Sequence, residues 1–386
     1  MRLLLLVALL AAAVAACGGG AERASAPADT ASFEATLREA RGQEVRWWLF
    51  GGDDRVNAYV DERVAPTARR LGVKLRRVPV ADTADAVQRV VAQRRAGKES
   101  GGAVDLIWIN GENFAAGKRA GLWLEDWLAG LPNARYLDME DPTITRDFQV
   151  PVDGQEAPWT RAVFVYAHDS ARVPDPPRTF DALLEWAQAH PGRFTYPAPP
   201  DFTGSAFVRQ AVQAMGEDAA FRFLRRLKPL MYRDGEVLPK SEAELNEIFA
   251  NGQVDFAMSY DASFVQSAVR RRQFARSARP FLLEGGTLTN VSFVTIPADA
   301  AHRAGAQVVV NLLLAPALQA TKADPRVLGH PTVLDLGRLP DAAQERFARA
   351  ASSPYLLEGF GELRPELAAD EVPRLEERWR REILAE

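Results

Sequence analysis

The chain is predicted to be α/β, with two lobes built on mostly parallel sheets and a helical C-terminal region. Three features predict this. From residue 44 short apolar runs alternate with amphipathic stretches, as parallel strands joined by crossover helices do. Around Asp175-Pro176-Pro177 a second alternation of the same kind begins, and beyond Ile296 only helical periodicity remains.

Val45 to Phe50 reads as the first strand and Gly51-Gly52-Asp53-Asp54 as its turn. Val56, Tyr59, Val60 and Val64 then mark one helical face, and Pro66 is expected to kink or end that helix. Val73 to Val80 is a second strand. Asp82 or Thr83 can cap the next helix, whose inner face is Val87, Val90 and Val91 and whose stop is Gly97. Asp105 to Ile109 is a third strand, almost continuously apolar as burial on both faces requires, and Asn110-Gly111-Glu112-Asn113 turns into another helix. Ala162 to Tyr166 is extended.

In the second alternation Thr179 caps a helix with Phe180, Leu183, Leu184 and Ala187 on one side. Arg193 to Tyr196 reads as a short strand and Pro197 to Ser205 as a rigid loop. A helix carrying Phe207, Val208, Ala211, Val212 and Met215 follows and ends at Gly216. Ser241 and Glu244 form a capping box for the helix of Leu245, Ile248 and Phe249, which feeds a strand from Val254 to Ser259. Val291 to Ile296 is a last extended run, and helices alone are expected after it, at 304–315, 341–351 and from Pro373 on. The expected division is residues 32–161 with 288–386 in lobe 1 and 162–287 in lobe 2, so the chain crosses over and returns.

The N-terminus is read separately. Met1-Arg2 leads into fourteen apolar residues, Leu3 to Ala16, and the only cysteine, Cys17, follows Val14-Ala15-Ala16. Such a run suits an export signal, residues 1–16, and falls short of the roughly 20 residues that span a bilayer. A cysteine directly after small residues looks like a bacterial lipobox, so Cys17 is the expected lipidation site; an ordinary secretory signal with an incidental cysteine is the alternative. Gly18-Gly19-Gly20 through Pro27 and Ala28 make residues 17–31 a flexible tether. Removing the signal leaves 370 residues, enough for two domains. The net charge of −4 gives no global field for nucleic acid or an anionic membrane. Arginine outnumbers lysine 41 to 6, so the run Arg270-Arg271-Arg272, with Arg276 and Arg279, is read as a solvated helical face and no nucleic-acid partner is expected. With its one cysteine acylated, the exported chain has no internal disulfide.

The four histidines, His168, His190, His302 and His330, show no metal spacing, and no Gly-x-Ser-x-Gly elbow or phosphate-cradling glycine loop occurs. No metal or cofactor is expected. What the chain offers is a set of polar turns that open helices at strand ends, where α/β sheets bind ligands. The candidates are Gly52 and Asp53 in the first turn, Asn110, Glu112 and Asn113 in the third, Asp201, Phe202, Thr203 and Ser205 in the proline loop, and Tyr260 and Asp261 after the late strand, with Asn290 in the last extended run. Asp54, Asn113, Thr203 and Asp261 could equally be plain N-caps. Trp47, Trp48 and Trp108 lie inside strands and are read as core; for Trp159, Phe202 and Tyr260, beside turns, stacking on a ligand competes with packing.

Several stretches carry a resemblance: Ala81 to Val87, Val104-Asp105-Leu106-Ile107-Trp108-Ile109-Asn110-Gly111-Glu112-Asn113-Phe114, Pro191-Gly192-Arg193-Phe194-Thr195-Tyr196 through Asp201-Phe202, Lys322-Ala323-Asp324-Pro325, and Pro331 to Leu336. In these the chain resembles the extracellular solute-binding proteins of bacterial ABC importers, in the YnjB-like branch. The resemblance implies a two-lobe periplasmic-binding-protein-like (type II) fold, a small solute held between the lobes, and delivery to a membrane permease powered by an ATPase. It implies no catalysis, and a monomer is expected.

The charge of the solute is read from the turns. Helix N-termini favour an anion, by about 0.3–1 kcal/mol each when exposed. Asp53, Glu112, Asp201 and Asp261 crowd the same turns, and acidic groups beside Trp159, Phe202 and Tyr260 suit an organic cation, thiamine- or polyamine-like. Metal capture is disfavoured by the poor histidine supply, although carboxylate and tyrosine could serve. A membrane-anchored extracytoplasmic enzyme using cleft carboxylates, and a structural envelope lipoprotein, are the rival classes.

Overall fold

The computed structural model describes residues 30–348 and 353–384; the expected signal, Cys17 and nearly all of the tether lie outside the described residues. Helix α1 (Thr30–Ala40) leads into β1 (Glu44–Phe50), where buried Val45, Trp47 and Leu49 alternate with partly exposed neighbours. Helix α2 (Asp54–Tyr59) runs through a π turn at Val60–Val64 into α3 (Ala65–Arg70). Pro66 therefore does not end the helix. It sits in the first turn of α3, just after the π turn, where a residue without an N–H is tolerated.

Next come β2 (Lys74–Val80), α4 (Thr83–Arg95), β3 (Leu106–Ile109) and α5 (Gly111–Arg119). Asp82, not Thr83, caps α4, accepting the Ala84 N–H at 2.8 Å. After α6 (Pro142–Thr145) the short pair β4 (Arg146–Asp147) and β5 (Val150–Pro151) precedes β6 (Glu156–Val163) and β7 (Val165–Asp169). Thr179 caps α7 (Phe180–Ala189) as its position predicts, accepting from Ala182 N–H at 3.1 Å.

The strand expected at 193–196 does not form. Arg193 O accepts from Asp255 N–H and Phe194 O from Tyr232 N–H, two single bonds to different neighbours in place of a ladder. The loop after it is shorter than expected, because α8 (Phe202–Met215) already starts at Phe202. Helix α9 (Glu217–Leu227) leads to α10 (Glu242–Ala250), β8 (Phe256–Ser259), α11 (Phe264–Arg270) and β9 (Ala278–Phe281). The capping box at α10 is half realised: Ser241 Oγ accepts from Glu244 N–H at 3.2 Å, but Glu244 reaches the N–H of Lys240, not of Ser241. The arginine run is no continuous helical face, since α11 ends at Arg270 and Arg272 is left-handed with φ 61°.

The chain closes with β10 (Thr287–Thr295), α12 (Arg303–Leu313), α13 (Pro316–Ala323), α14 (Asp341–Ala348), β11 (Leu363–Pro365) and α15 (Glu371–Trp379). Strand β11 corrects the expectation of an all-helical tail; it adds to β10 in parallel. The central sheet runs β11-β10-β3-β1-β2, with β6 on the other edge of β10. Pairs β1–β2, β1–β3 and β10–β11 are parallel, and β10 is antiparallel to β3 and β6. A second, three-stranded sheet, β8-β7-β9, is antiparallel throughout.

Two hydrophobic cores are separate. One gathers apolar side chains from Phe33 to Trp159 and from Val291 to Leu339. The other gathers Val163 to Leu288 together with Leu375, Trp379 and Ile383. The C-terminal helix, expected with the first lobe, thus packs on the second. Its four-residue spacing of Leu375, Trp379 and Ile383 makes an apolar stripe that either core could take. Arg374 and Arg378 pair with Glu217 of α9, and Trp379 Nε1 donates to Tyr196 Oη at 2.8 Å, which selects the second.

Trp379 is 1 % exposed. Trp379→Ala is expected to destabilise the second core by about 3–5 kcal/mol, read by denaturant unfolding of the whole chain. A loss under about 1 kcal/mol would show that α15 is dispensable to that core.

Candidate functional site

A cleft of about 750 Å3 opens between the two cores. On the first-core side it is walled by the turn after β1, by Trp108 and Asn110 at the end of β3, and by Thr160 and Ala162 of β6. The opposite wall is the start of α8, one face of α10, the turn after β8 and the face of α11. Asn290 and Ser292 of β10, with His330, complete the lining.

Gly52, Asp53, Asn110, Asp201, Phe202, Thr203, Tyr260, Asp261 and Asn290 all line this space, so residues more than 200 positions apart are brought together. Glu112, Asn113, Trp159 and Ser205 do not line it. Glu112 and Asn113 lie in the first turn of α5, past the one residue, Asn110, that faces the cleft. Trp159 is inside β6, 1 % exposed, and meets Trp47 and Trp108 edge-on at 5.6 and 5.2 Å between ring centres. Ser205 is buried in α8, where its hydroxyl donates to Glu376 at 2.6 Å and accepts from Arg209 at 2.7 Å.

Residues that the sequence reading left out also line the cleft: Phe50, Arg55, Trp108, Glu242, Asn246 and His330. Two had a visible signal. Phe50 ends a strand as an exposed aromatic, 44 % accessible. Trp108 alternates with Ile107 and Ile109 along β3; it is partly buried, packs against the first core and also borders the cleft. The remainder depend on how the two cores face one another.

The N-termini of α2, α5 and α8 at the cleft each give backbone N–H groups to an aspartate, whereas α10 is capped by Ser241. Asp53, not Asp54, caps α2, accepting from Arg55 and Val56 N–H at 2.9 and 3.2 Å. Asp201, not Thr203, caps α8, accepting from Gly204 N–H at 2.9 Å. The turn is so tight that a Cβ on Gly204 would lie 1.8 Å from Pro197 O. At α5 the Gly111 N–H, at φ 62°, is taken by buried Asp147 at 2.7 Å. Burial, with Glu112 and Glu366 nearby, pushes the Asp147 carboxyl up to about 8 against that bond. These N–H groups are therefore not free to bind an anion.

Arg55 reaches across the cleft from α2. Its guanidinium pairs with Asp261 and donates to Ser267 Oγ at 2.6 Å, Ser263 Oγ at 3.0 Å and Leu328 O at 3.1 Å. Asp261 also accepts from Ser263 N–H and Oγ, both at 2.8 Å. Burial would raise the Asp261 carboxyl, but Arg55, His330 and the Ser263 bonds outweigh it and hold it below the usual range. Burial lowers His330, with Arg55 and Lys322 adding to the effect against Asp261. Glu242 goes the other way. Burial, with Asp261 and Asp201 adding, pushes it up to about 7, although the hydroxyls of Thr203 (2.6 Å) and Ser259 favour its charged form. Burial also raises Asp201. Among the described residues no group of three or more His, Cys, Asp and Glu side chains could hold a metal ion.

Residues 62–344 match the family described as bacterial extracellular solute-binding protein. The chain belongs to that family. This solute-binding protein is 38 % identical to Protein YnjB of Escherichia coli (strain K12) over 339 residues, covering 83 % of this chain and 87 % of that one. Among solved structures it resembles the periplasmic binding protein AfuA of Actinobacillus pleuropneumoniae, with fructose-6-phosphate bound (TM-score 0.59, 15 % identity, 88 % and 98 % of the two chains). It also resembles a periplasmic thiamin binding protein (TM-score 0.59, 17 % identity, 88 % and 96 %). At these identities the two structures show the fold alone, and the solutes they are named for differ in charge. The solute-binding protein is thus extracytoplasmic, with the periplasmic-binding-protein fold.

Arg55→Ala removes the pair and two serine hydrogen bonds across the cleft, and small-angle scattering is expected to show a larger radius of gyration. An unchanged radius would show that other contacts hold the walls together. Because Asp261 is held below its ordinary value by this contact, its contribution to closure is full above about pH 4 and lost as pH falls further. The wild-type chain should therefore expand only in acid, where the same scattering measurement can be repeated.

Proposed function

We propose that the protein captures a small organic cation between its two lobes and delivers it to an ABC permease driven by its ATPase. The observation that carries the charge assignment is the closure of the α2, α5 and α8 N-termini by Asp53, Asp147 and Asp201, which removes the donors an anion would need. Carboxylates remain in the same space, with Phe50 and Phe202 both 44 % exposed on opposite walls. A flat or amine-bearing cation gains from both kinds of surface. Thiamine- and polyamine-like solutes have this chemistry. Lobe 1 is centred on the first core and lobe 2 on the second, with hinges where β6 passes into β7 and at the start of β10. A solute touching both walls selects the closed form. The chain works as a monomer held to the membrane by an acyl group on Cys17, a reading that rests on the sequence of residues 1–17.

One observation favours a second reading. Glu242 and Asp261 sit in one cleft with carboxyls displaced in opposite directions, as an acid–base pair in an enzyme would be. A metabolite screen by thermal shift, followed by product analysis, separates the two. A solute at 100 times its dissociation constant should add about 2.7 kcal/mol of stability and emerge unchanged. Product formation would replace capture by catalysis, and silence across amines and nitrogen heterocycles would remove the cation assignment. For the anchor, Cys17→Ala is expected to move the protein from the membrane fraction to the soluble one; retention in the membrane fraction would reject lipidation there.

A further inference from the structure

The cleft carboxylates are not equivalent. Asp53 and Asp201 are committed to helix N–H groups, and Asp261 to Arg55 and Ser263. Glu242 differs. It lines the cleft from the first turn of α10, forms no ion pair among the described residues, and accepts from Thr203 Oγ1 at 2.6 Å. One helical turn on, at the four-residue spacing that puts two side chains on the same face, Asn246 also lines the cleft. Its Oδ1 is buried and accepts no hydrogen bond. A buried acceptor without a donor costs about 1–3 kcal/mol, so a partner supplied from the cleft would recover that cost.

Resting on the cation reading above, we propose that Glu242 and Asn246 form the anchoring subsite of the cleft, and that it takes a cation bearing N–H donors. A primary or secondary ammonium, or an amino group on a heterocycle, satisfies both oxygens at once. A quaternary ammonium offers charge to Glu242 but nothing to Asn246, and is discriminated against for that reason.

The groups facing Glu242 decide how capture depends on pH. Asp201 at the head of α8 and Asp261 after β8 oppose its ionisation, Arg55 from α2 favours it, and the hydroxyls of Thr203 and Ser259 bond its charged form. With its carboxyl at about 7 in the empty cleft, a cationic solute draws it into the charged form and a proton is released. Affinity then rises with pH through neutrality, by about tenfold between about pH 6 and about pH 8.

Equilibrium dialysis of the whole chain with putrescine, thiamine and choline at those two pH values tests this. Putrescine or thiamine should be retained, about tenfold more tightly at the higher pH, and choline should not. Glu242→Gln should weaken retention at least tenfold and abolish its pH response. Asn246→Ala should weaken it severalfold and leave the pH response in place. A solute retained with no dependence on Glu242, or choline retained as well as the N–H cations, overturns the subsite while leaving cation capture standing. Retention of none of the three by the wild-type chain overturns both.

Discussion

A strand buried along its whole length must find a partner for every backbone group, and β10 is such a strand. It meets most of that demand by pairing with β6 on one edge and with β11 and then β3 on the other. Its buried hydroxyls follow the same rule: Thr287 donates to Phe164 O, Thr289 to Ala162 O at 3.0 Å and Thr295 to Gln155 O at 2.7 Å. Leu288 belongs to the second core and Val291 to the first. One strand thus passes from core to core, and on the edge shared by β11 and β3 residues 290–292 have no strand partner among the described residues. Asn290 and Ser292, lying between these ends, are part of the cleft lining.

From that seam the chemistry of the cleft follows. Each wall brings helix starts and strand ends, and the starts of α2, α5 and α8 each give N–H groups to an aspartate. Those donors, which would attract an anion, are thereby used internally. The Arg55 guanidinium, an N–H-bearing cation, crosses the cleft to Asp261 and two serine hydroxyls on the far side, and also donates to Leu328 O of the first core.

Much of the architecture was legible because burial imposes a period. The runs of β1, β2 and β3, the capped helix after Thr179, and the stripe of α15 all announce themselves by which residues are apolar. Gly52, Asp53, Asn110, Tyr260 and Asp261 fell in the cleft because turns at strand ends are where backbone is free to meet a ligand, while Asp201, Phe202 and Thr203 reach it from a helix start and Asn290 from within β10. Glu112 and Asn113 were misplaced since a turn four residues long presents only its first member, Asn110, to the gap. Trp159 was misplaced because it lies inside β6, not beside a turn. Arg55, Glu242 and Asn246 carried no signal at all: each is an ordinary polar residue in a helix, and only the wall opposite makes it part of a site.

The sequence by itself determined the class of fold, the alternation of its elements, the chemistry at its N-terminus and the turns from which a site is made. Those are local matters, set by periodicity, capping and composition. The tertiary structure alone decided which core the last helix joins, which carboxylates are used up as caps and which are left facing the cleft. The physical reason is that an ionisable group acquires its role from what is desolvated beside it, and for Glu242 those neighbours, Thr203, Asp201, Ser259, Asp261 and Arg55, arrive from three separate parts of the chain.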